Sequence, residues 1–434
     1  MQISLPGEAS RVGSTPPAPG RRRRTVVALL SSTVLVVAAC SGPEHSPITK
    51  TACSTPGFSA TSVRIGQVYP DSGVLAEAFQ PTRSGVEARI QQANAEGGIN
   101  GRTIEYVWAD DRGDVTGNTQ AVHKLVDDDE VFGLVETTLV AAGSAQYLDD
   151  RHIPVTGMPA ETLWTQHRNM FSTAYTITES GTVDTFGRYI RAQGGTTAAI
   201  IRADVMPSTT DITGKIEQGA AQAGVRILPQ SLIYNPTVSS PTQLAAAIRQ
   251  SGADVLIGSL SPGDWANILP AVAATGTPIR VVLAPGGYDP KLLQQYGTSL
   301  AGLSTFISLV PFELGTAAHQ RYLRAMANYA PELADPRTQL ALTAYVQTDL
   351  LLHGLTVAGP CPSREQFIER LRAVKDYNAG GLLPTPVDLT ATFGKISQCY
   401  AFLRVNNAGN GFEVAQNPGA TAGSPYNWCG DRID

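Results

Sequence analysis

Asp71-Ser72-Gly73, then Gly85, then Gln92-Ala93-Asn94-Ala95-Glu96-Gly97-Gly98-Ile99-Asn100-Gly101-Arg102, then Asp110-Asp111 is the stretch that decides the fold. An apolar run, Val63–Tyr69, leads into it, and a second, Thr103–Trp108, lies within it. The residues between them, Ala76–Ala95, carry the spacing of an amphipathic helix. Ser72-Gly73 opens that helix, where backbone N–H groups can face a ligand anion. Asn94 to Gly98 ends it, because glycine is free to take the left-handed conformation. Gly98-Ile99-Asn100-Gly101 then turns the chain into the next strand.

The alternation continues outward. Strands are expected at Val131–Val135 and Ile153–Thr156, with helices at Gly117–Asp127 and Ala142–Arg151. A second series has strands at Thr197–Ile201, Arg226–Ile233, Val255–Ser259, Arg280–Leu283 and Leu303–Leu309. Helices at Ile212–Ala223, Pro241–Ser251 and Trp265–Ala274 separate them. Helical stretches follow at Gln320–Tyr329, Thr338–Ala358 and Arg364–Val374, then a strand at Cys399–Val405. Two such series imply an α/β protein of two Rossmann-like lobes, each with a mostly parallel sheet. Ligands in open α/β sheets bind outside the carboxyl ends of the strands. Those ends are Tyr69–Gly73, Ala109–Arg112, Glu136–Thr138 and Thr156–Pro159 in the first series, and Arg202–Ser208, Ser259–Ser261 and Pro285–Asp289 in the second. A cleft between the lobes is the expected pocket.

The N-terminus addresses the chain to the cell surface. Arg21–Arg24 precede an uncharged run, Thr25–Ala39, which is shorter than the roughly 20 residues of a membrane span and has the form of a secretory signal. It ends Val37-Ala38-Ala39-Cys40, small residues before a cysteine, which resembles a bacterial lipobox with Cys40 as the lipidated residue. Residues 1–39 are therefore expected to be removed, and the Ser/Thr/Pro/Gly-rich residues 40–61 to form a flexible tether. From residue 40 onward 27 Lys and Arg stand against 36 Asp and Glu, a net charge of −9. No basic face interleaved with aromatics exists, so nucleic acid is not an expected partner. The run Asp127-Asp128-Asp129-Glu130 reads as a solvated helix end. With Cys40 lipidated, Cys53, Cys361, Cys399 and Cys429 remain, an even number in an oxidising compartment, with three possible pairings. The preferred pairing joins Cys53 to Cys429 and Cys361 to Cys399. No C-x-x-C spacing suggests zinc or redox chemistry.

The ordered combination in the opening stretch resembles the amino-terminal lobe of the branched-chain amino-acid-type (Leu/Ile/Val) periplasmic binding proteins, the type I solute-binding fold. The resemblance covers roughly residues 62–405 and is strongest before residue 160. It implies two lobes joined by three crossovers and closing by a hinge motion. Lobe 1 is then 62–178 plus 312–380, lobe 2 is 179–311 plus 381–405, and 406–434 is a C-terminal tail. It also implies a role as the binding component of an ABC importer, docking on permease subunits, acting as a monomer and needing no cofactor.

Several residues depart from that family's pattern. Thr137 and Thr138 occupy the Ser/Thr-rich turn that holds a ligand carboxylate, and Thr156 begins the next turn, with Met158 beyond it. Where the family carries a threonine in that turn, Ala160 has no hydroxyl. In the second lobe the acidic residue that answers an ammonium is replaced by Pro285-Gly286-Gly287-Tyr288, with no carboxylate until Asp289. Met206-Pro207-Ser208 replaces an aromatic-glycine pair, and Ser261 stands at a tyrosine position. A zwitterion would leave its ammonium unpaired unless Asp204 or Asp289 supplied the partner, and burying an unpaired charge is costly. A small polar metabolite, amino-acid-like, amide or carboxylate, is the expected ligand.

The ligand contacts expected from this reading are Ser72, Gly73, Thr137, Thr138, Thr156, Met158, Tyr175, Asp204, Ser261 and Tyr288. Each has a plainer role available: Ser72, Thr137 and Thr138 as helix caps, Tyr175 as packing near the first crossover, Asp204 as a turn carboxylate. Phe79 is a candidate for the pocket mouth. Asp110-Asp111 read as a scaffold node, since adjacent side chains point apart and make a poor acid/base pair. The six histidines show no H-E-x-x-H spacing, and neither a G-x-S-x-G elbow nor a phosphate-binding glycine motif occurs. Capture, not catalysis, is the expected function. The same fold also serves ligand-sensing receptors and interaction proteins with altered pockets, which remain the alternatives.

Overall fold

The structure, a computed structural model, describes residues 53–203, 207–420 and 424–434, with the side chains of 207–210 outside that description. Cys40, the signal segment, Asp204 and Met206 therefore lie outside the described residues.

The first sheet is built from β1 (Ser62–Tyr69), β2 (Thr103–Asp110), β3 (Gly133–Glu136), β4 (Val155–Gly157) and β5 (Met170–Phe171). Their order is β2-β1-β3-β4-β5 and every pairing is parallel. Seven of the eight residues of β1 are buried, so both faces of the sheet are covered, as a parallel sheet requires. The chain leaves β1 to one side for β2 and returns to the other for β3. That reversal opens a crevice at the carboxyl ends of β1 and β3.

The helices over this sheet are α1 (Ala76–Ala95), α2 (Val115–His123) and α3 (Ala145–Asp150). Asp114 caps α2 by accepting from Gly117 N. Asn94 holds α1 to the sheet: its Nδ2 donates to Ile104 O and its Oδ1 accepts from Ile104 N, at 2.9 and 2.7 Å. Gly98 takes φ +74°, and a Cβ there would lie 1.9 Å from Arg102 O. The asparagine and glycine of the opening stretch are thus fixed by backbone geometry.

The second layer begins with β6 (Thr182–Val183) and α4 (Thr185–Ala192). It continues with β7 (Thr197–Arg202), α5 (Pro207–Gln222), β8 (Arg226–Ile227), β9 (Leu232–Ile233), α6 (Pro241–Ser251), β10 (Val255–Ile257), α7 (Pro262–Ala274), β11 (Val281–Ala284), α8 (Pro290–Tyr296) and β12 (Leu303–Ile307). Ser240 caps α6, Pro241 occupies its first turn and Gly252 closes it in the left-handed conformation. The chain then returns to the first layer as α9 (Ala317–Tyr329), α10 (Gln339–Ala358) and α11 (Arg364–Arg372). Thirteen of the twenty residues of α10 are buried, which makes it an interior helix. It crosses α1 where Gly85 meets Ala341, close enough that a Cβ on Gly85 would lie 2.2 Å from Ala341 O.

The last strands are β13 (Cys399–Val405), β14 (Phe412–Val414), β15 (Asn427–Cys429) and β16 (Arg432–Ile433). The nine-stranded second sheet runs β14-β13-β12-β11-β10-β7-β8, with β15 on β13 and β9 on β7. Its core pairings are parallel, and β13 joins β12 antiparallel. The chain passes between the two layers after β5, after β12 and after α11.

Three expectations are corrected. The single strand expected at Arg226–Ile233 is two short strands, because Pro229 between them has no N–H for the ladder. The segment after residue 406 is not a mere tail: it supplies β14 and β15 to the second sheet, and β16 pairs with β6. The disulfides join Cys53 to Cys361 and Cys399 to Cys429, not Cys53 to Cys429 and Cys361 to Cys399. Antiparallel pairing of β13 with β15 sets Cys399 directly opposite Cys429, with Cα atoms 4.1 Å apart. Among the described residues no helix is long and apolar enough to cross a membrane.

Candidate functional site

Between the two layers lies a cavity of about 690 Å³. One wall is the start of α1 with the turns after β3 and β4, through residues such as Phe79, Leu139 and Met158. The opposite wall is the turns after β10 and β11 with α8, through Leu260, Gly287 and Leu292. The floor comes from the segments that pass between the layers, Ser172–Ile177 and Phe306–Leu309, together with Tyr400 of β13 and the first half of α10. The lining thus combines the carboxyl ends of both sheets, where a topological switch leaves room for a ligand. Its volume falls within the roughly 300–1,000 Å³ common for small-molecule sites.

Of the residues singled out in the sequence, Met158 and Tyr288 line the cavity, as do Phe79, Ala160 and Asp289. Tyr288 does so with its hydroxyl already engaged: it donates to Glu313 Oε2 at 2.6 Å and accepts from Phe312 N at 2.8 Å. Thr137, Thr138 and Thr156 are not lining residues; all three are buried with their hydroxyls used inside lobe 1. Thr137 Oγ1 donates to Thr82 Oγ1 and accepts from Gln67 Nε2, at 3.0 and 3.1 Å. Thr138 Oγ1 accepts from Val140 N, and Thr156 Oγ1 donates to the carbonyl of Gln347 at 2.8 Å.

Ser72 and Gly73 also stand off the cavity. Ser72 Oγ donates to Asp110 Oδ2 at 2.6 Å, and Asp110 Oδ1 accepts from the N–H groups of Asp71, Ser72 and Arg112. Burial pushes the Asp110 carboxyl up, but these bonds outweigh it and hold the group below its ordinary value. Asp110 is the node that shapes the turn, and Val74 just beyond it reaches the rim. Tyr175 is buried against lobe 1 while its neighbours Ala174 and Thr176 line the floor, the alternation of extended backbone. Its backbone ties two passing segments together: Tyr175 N donates to Ser397 Oγ, and Ser397 N to Tyr175 O. Ser261 is the N-cap of α7, accepting from Asp264 N, and its neighbours Leu260 and Pro262 line the wall instead. Asp204 lies outside the described residues.

Sequence reasoning missed two residues at the floor. Gln347, 2% exposed, donates through Nε2 to Ser172 Oγ and Thr173 Oγ1 and leaves Oε1 without a partner. Tyr400, 1% exposed, has a hydroxyl that makes no hydrogen bond of good geometry, with Thr176 beside it. The available signal was a glutamine among the buried positions of the largely apolar helix α10, Gln339–Ala358.

Among the described lining residues charge is confined to the mouth. Lys291 Nζ, on α8 in the second layer, meets Glu77 Oε1, on α1 in the first, at 2.9 Å, and both side chains are exposed. That bond and the Lys291 charge hold the Glu77 carboxyl below its usual range. Asp289 caps α8 through Lys291 N at 2.8 Å, and burial raises its carboxyl. Inward from these three the described lining is apolar or uncharged. Among the described residues no three His, Cys, Asp or Glu side chains converge as metal ligands would. Such a lining is suited to holding an organic molecule.

A model of the periplasmic binding protein family matches residues 62–410. Leu/Ile/Val-binding protein homolog 8 of Brucella suis biovar 1 (strain 1330) is 24% identical over 343 residues, covering 74% of this chain and 83% of that protein. Among solved structures, a fatty acid ABC transporter substrate-binding protein from Thermomonospora curvata superposes with a TM-score of 0.67 at 17% identity, covering 83% of this chain and 92% of that one. A solute-binding protein of an ABC transporter from R. palustris, in complex with benzoate, superposes with a TM-score of 0.64 at 16% identity, covering 81% of this chain and 95% of that one.

Proposed function

This chain belongs to the periplasmic binding protein family, in its branched-chain amino-acid type, and from that premise we propose that it is the lipid-anchored solute-binding component of an ABC importer. The family is one of extracytoplasmic solute-binding proteins. In this reading residues 1–39 direct export, Cys40 carries the lipid, and residues 40–61 tether the folded part to the membrane that holds the permease subunits. A monomer suffices, since one chain supplies both walls of the site.

The observation that carries the reading is the cavity of about 690 Å³ enclosed by the carboxyl ends of both sheets and floored by the segments that join them. A ligand held there touches both lobes at once, so its binding energy favours the closed arrangement over the open one. Closure around ligand then provides the form that docks on the importer. The expected ligand is a small metabolite, amino-acid-like, amide or carboxylate. The apolar walls formed by Phe79, Leu139, Met158, Leu260 and Leu292 favour one with a substantial hydrocarbon body. Fatty acid and benzoate in the names of the two structural neighbours are compatible with such a body.

Solution scattering with and without ligand tests this. A compound that raises the melting temperature is expected to shrink the radius of gyration as well. Stabilisation with no change of shape would argue for a binding protein that does not work by closure.

A further inference from the structure

We propose that the floor of the cavity is a subsite for an uncharged hydrogen-bonding end of the ligand, an amide or a hydroxyl, recognised by Gln347 from α10 and Tyr400 from β13. The inference rests on the reading of the cavity as a solute site and names the ligand chemistry that site selects.

Exposure grades the cavity from mouth to floor. Glu77 and Lys291 are exposed, Met158 and Leu260 are half-buried, and Gln347 and Tyr400 are buried. The charges follow the same grade. Glu77, Asp289 and Lys291 stand together at the mouth, Glu77 bonded to Lys291 Nζ and Asp289 to the Lys291 backbone N–H. Among the described lining residues no cation or carboxylate faces the floor. A carboxylate or an ammonium pushed to the floor would lose its water and find no countercharge, which is the costliest form of burial.

The floor is polar all the same. Gln347 commits one end of its amide to the hydroxyls of Ser172 and Thr173 and keeps the other unpartnered. Hydroxyls both donate and accept, so either orientation of the amide leaves one polar end for the ligand. Tyr400 is fixed by stacking on Phe186 at 5.1 Å between ring centroids and by an edge contact with Phe306 at 5.2 Å. Its hydroxyl makes no hydrogen bond of good geometry, Thr176 of the same floor lies beside it, and burial holds its proton firmly. Buried polar groups are nearly always well satisfied in folded proteins, so an unpartnered amide end and a poorly satisfied phenol lining the same cavity await something that enters it. An amide or a hydroxyl, carrying both a donor and an acceptor, answers either orientation of the Gln347 amide; a carboxylate matches only the one that presents Nε2 and an ammonium only the one that presents Oε1, and each brings a charge with no countercharge at the floor. The two residues stand on opposite lobes, so an end group held here also ties the lobes at their hinge.

Calorimetric titration of the purified protein at pH 7.5 tests this with matched probes. Cyclohexyl, phenyl and octyl frames each carry an amide, an alcohol, a carboxylate or an amine, and leucine is added as the zwitterion. The expected result is tighter binding of the amide or alcohol than of the charged members of the same frame. Tyr400→Phe and Gln347→Met should each weaken the neutral probe about tenfold, the effect of one lost buried hydrogen bond. Tyr400→Phe keeps the ring and its stacking, so it carries the test should Gln347→Met fail to fold. A carboxylate, amine or leucine that binds as tightly as the neutral probe overturns this inference and leaves solute capture standing. Neutral binding insensitive to both variants also overturns it, by placing the polar end elsewhere. Binding by no probe of any class overturns the capture reading itself.

Discussion

Glu136 ends β3 with no exposed surface, its Oε1 accepting from Ser144 Oγ at 3.3 Å. Burial, then the facing charges of Asp111 and Glu161, push its carboxyl up to about 8, while Ser144 and Asn118 pull the other way. In the unfolded chain a glutamate titrates at about 4.3. Between those values the folded protein holds a proton that the unfolded chain has released. This group therefore lowers stability as pH rises from about 4.5 to 8, by about 1.4 kcal/mol per pH unit. Glu136→Gln should gain on the wild type steadily from pH 5 to pH 8 in denaturant midpoints. Parallel pH profiles would show that Glu136 is ionised in the folded state. The same residue scale explains which part of the site was legible. The turns after β3, β4, β10 and β11 border the cavity as expected, whereas those after β1 and β2 stand off it, and which side chain of a turn faces the ligand is set by local backbone geometry that the sequence does not show. Met158 and Tyr288 line the cavity, whereas Thr137, Thr138 and Thr156 turn into lobe 1, where Thr82, Val140 N and Gln347 O take their hydroxyls. Gln347 and Tyr400 escaped notice because each sits inside a regular element, and only the tertiary fold aims them at one cavity.

Where α1 and α10 cross, glycine is a packing requirement. A Cβ at residue 85 would meet Ala341 O at 2.2 Å, and neither helix backbone can yield without displacing buried neighbours. Gly85→Ala is expected to cost about 1–3 kcal/mol, the usual cost of overpacking, although alanine is the better helix former. Thermal or denaturant unfolding reads this directly, and a neutral or stabilising result would mean that the helices can separate there. Elements with strong local signals were legible to the residue: α1, α6 and β13 coincide with their expected spans. α6 shows why, with a serine cap, a proline in its first turn and a terminal glycine. The strands β14, β15 and β16 were not legible, since each has two or three residues and exists by pairing with distant chain. β16 pairs with β6, on the far side of the whole second layer in sequence. The disulfide pairing was hidden for the same reason, because the β13–β15 register that sets Cys399 against Cys429 is itself long-range.

At the scale of the whole molecule, the Cys53–Cys361 disulfide closes a loop of 308 residues and fastens the start of the described chain beside the end of α10. Replacing both cysteines by serine should lower stability by about 2–4 kcal/mol, chiefly by freeing the unfolded chain. Guanidinium unfolding of the double variant measures this, and an unchanged midpoint would assign the bridge no stabilising role. The proposed lipidation predicts that Cys40→Ser moves the protein from the membrane fraction to the soluble fraction with its melting temperature unchanged. Retention of that variant in the membrane would remove the lipid from the account. The central claim is that the interlobe cavity captures a small molecule with an apolar body and an uncharged polar end. The most direct measurement is thermal unfolding of the purified protein against a metabolite panel spanning amides, alcohols, carboxylates, amines and amino acids. A ligand at about 100 times its dissociation constant stabilises the fold by about 2.7 kcal/mol, a shift that such a scan resolves. The account predicts upward shifts from neutral amides or alcohols on hydrocarbon frames and none from leucine or valine. A well-folded protein whose melting temperature no compound raises would contradict it.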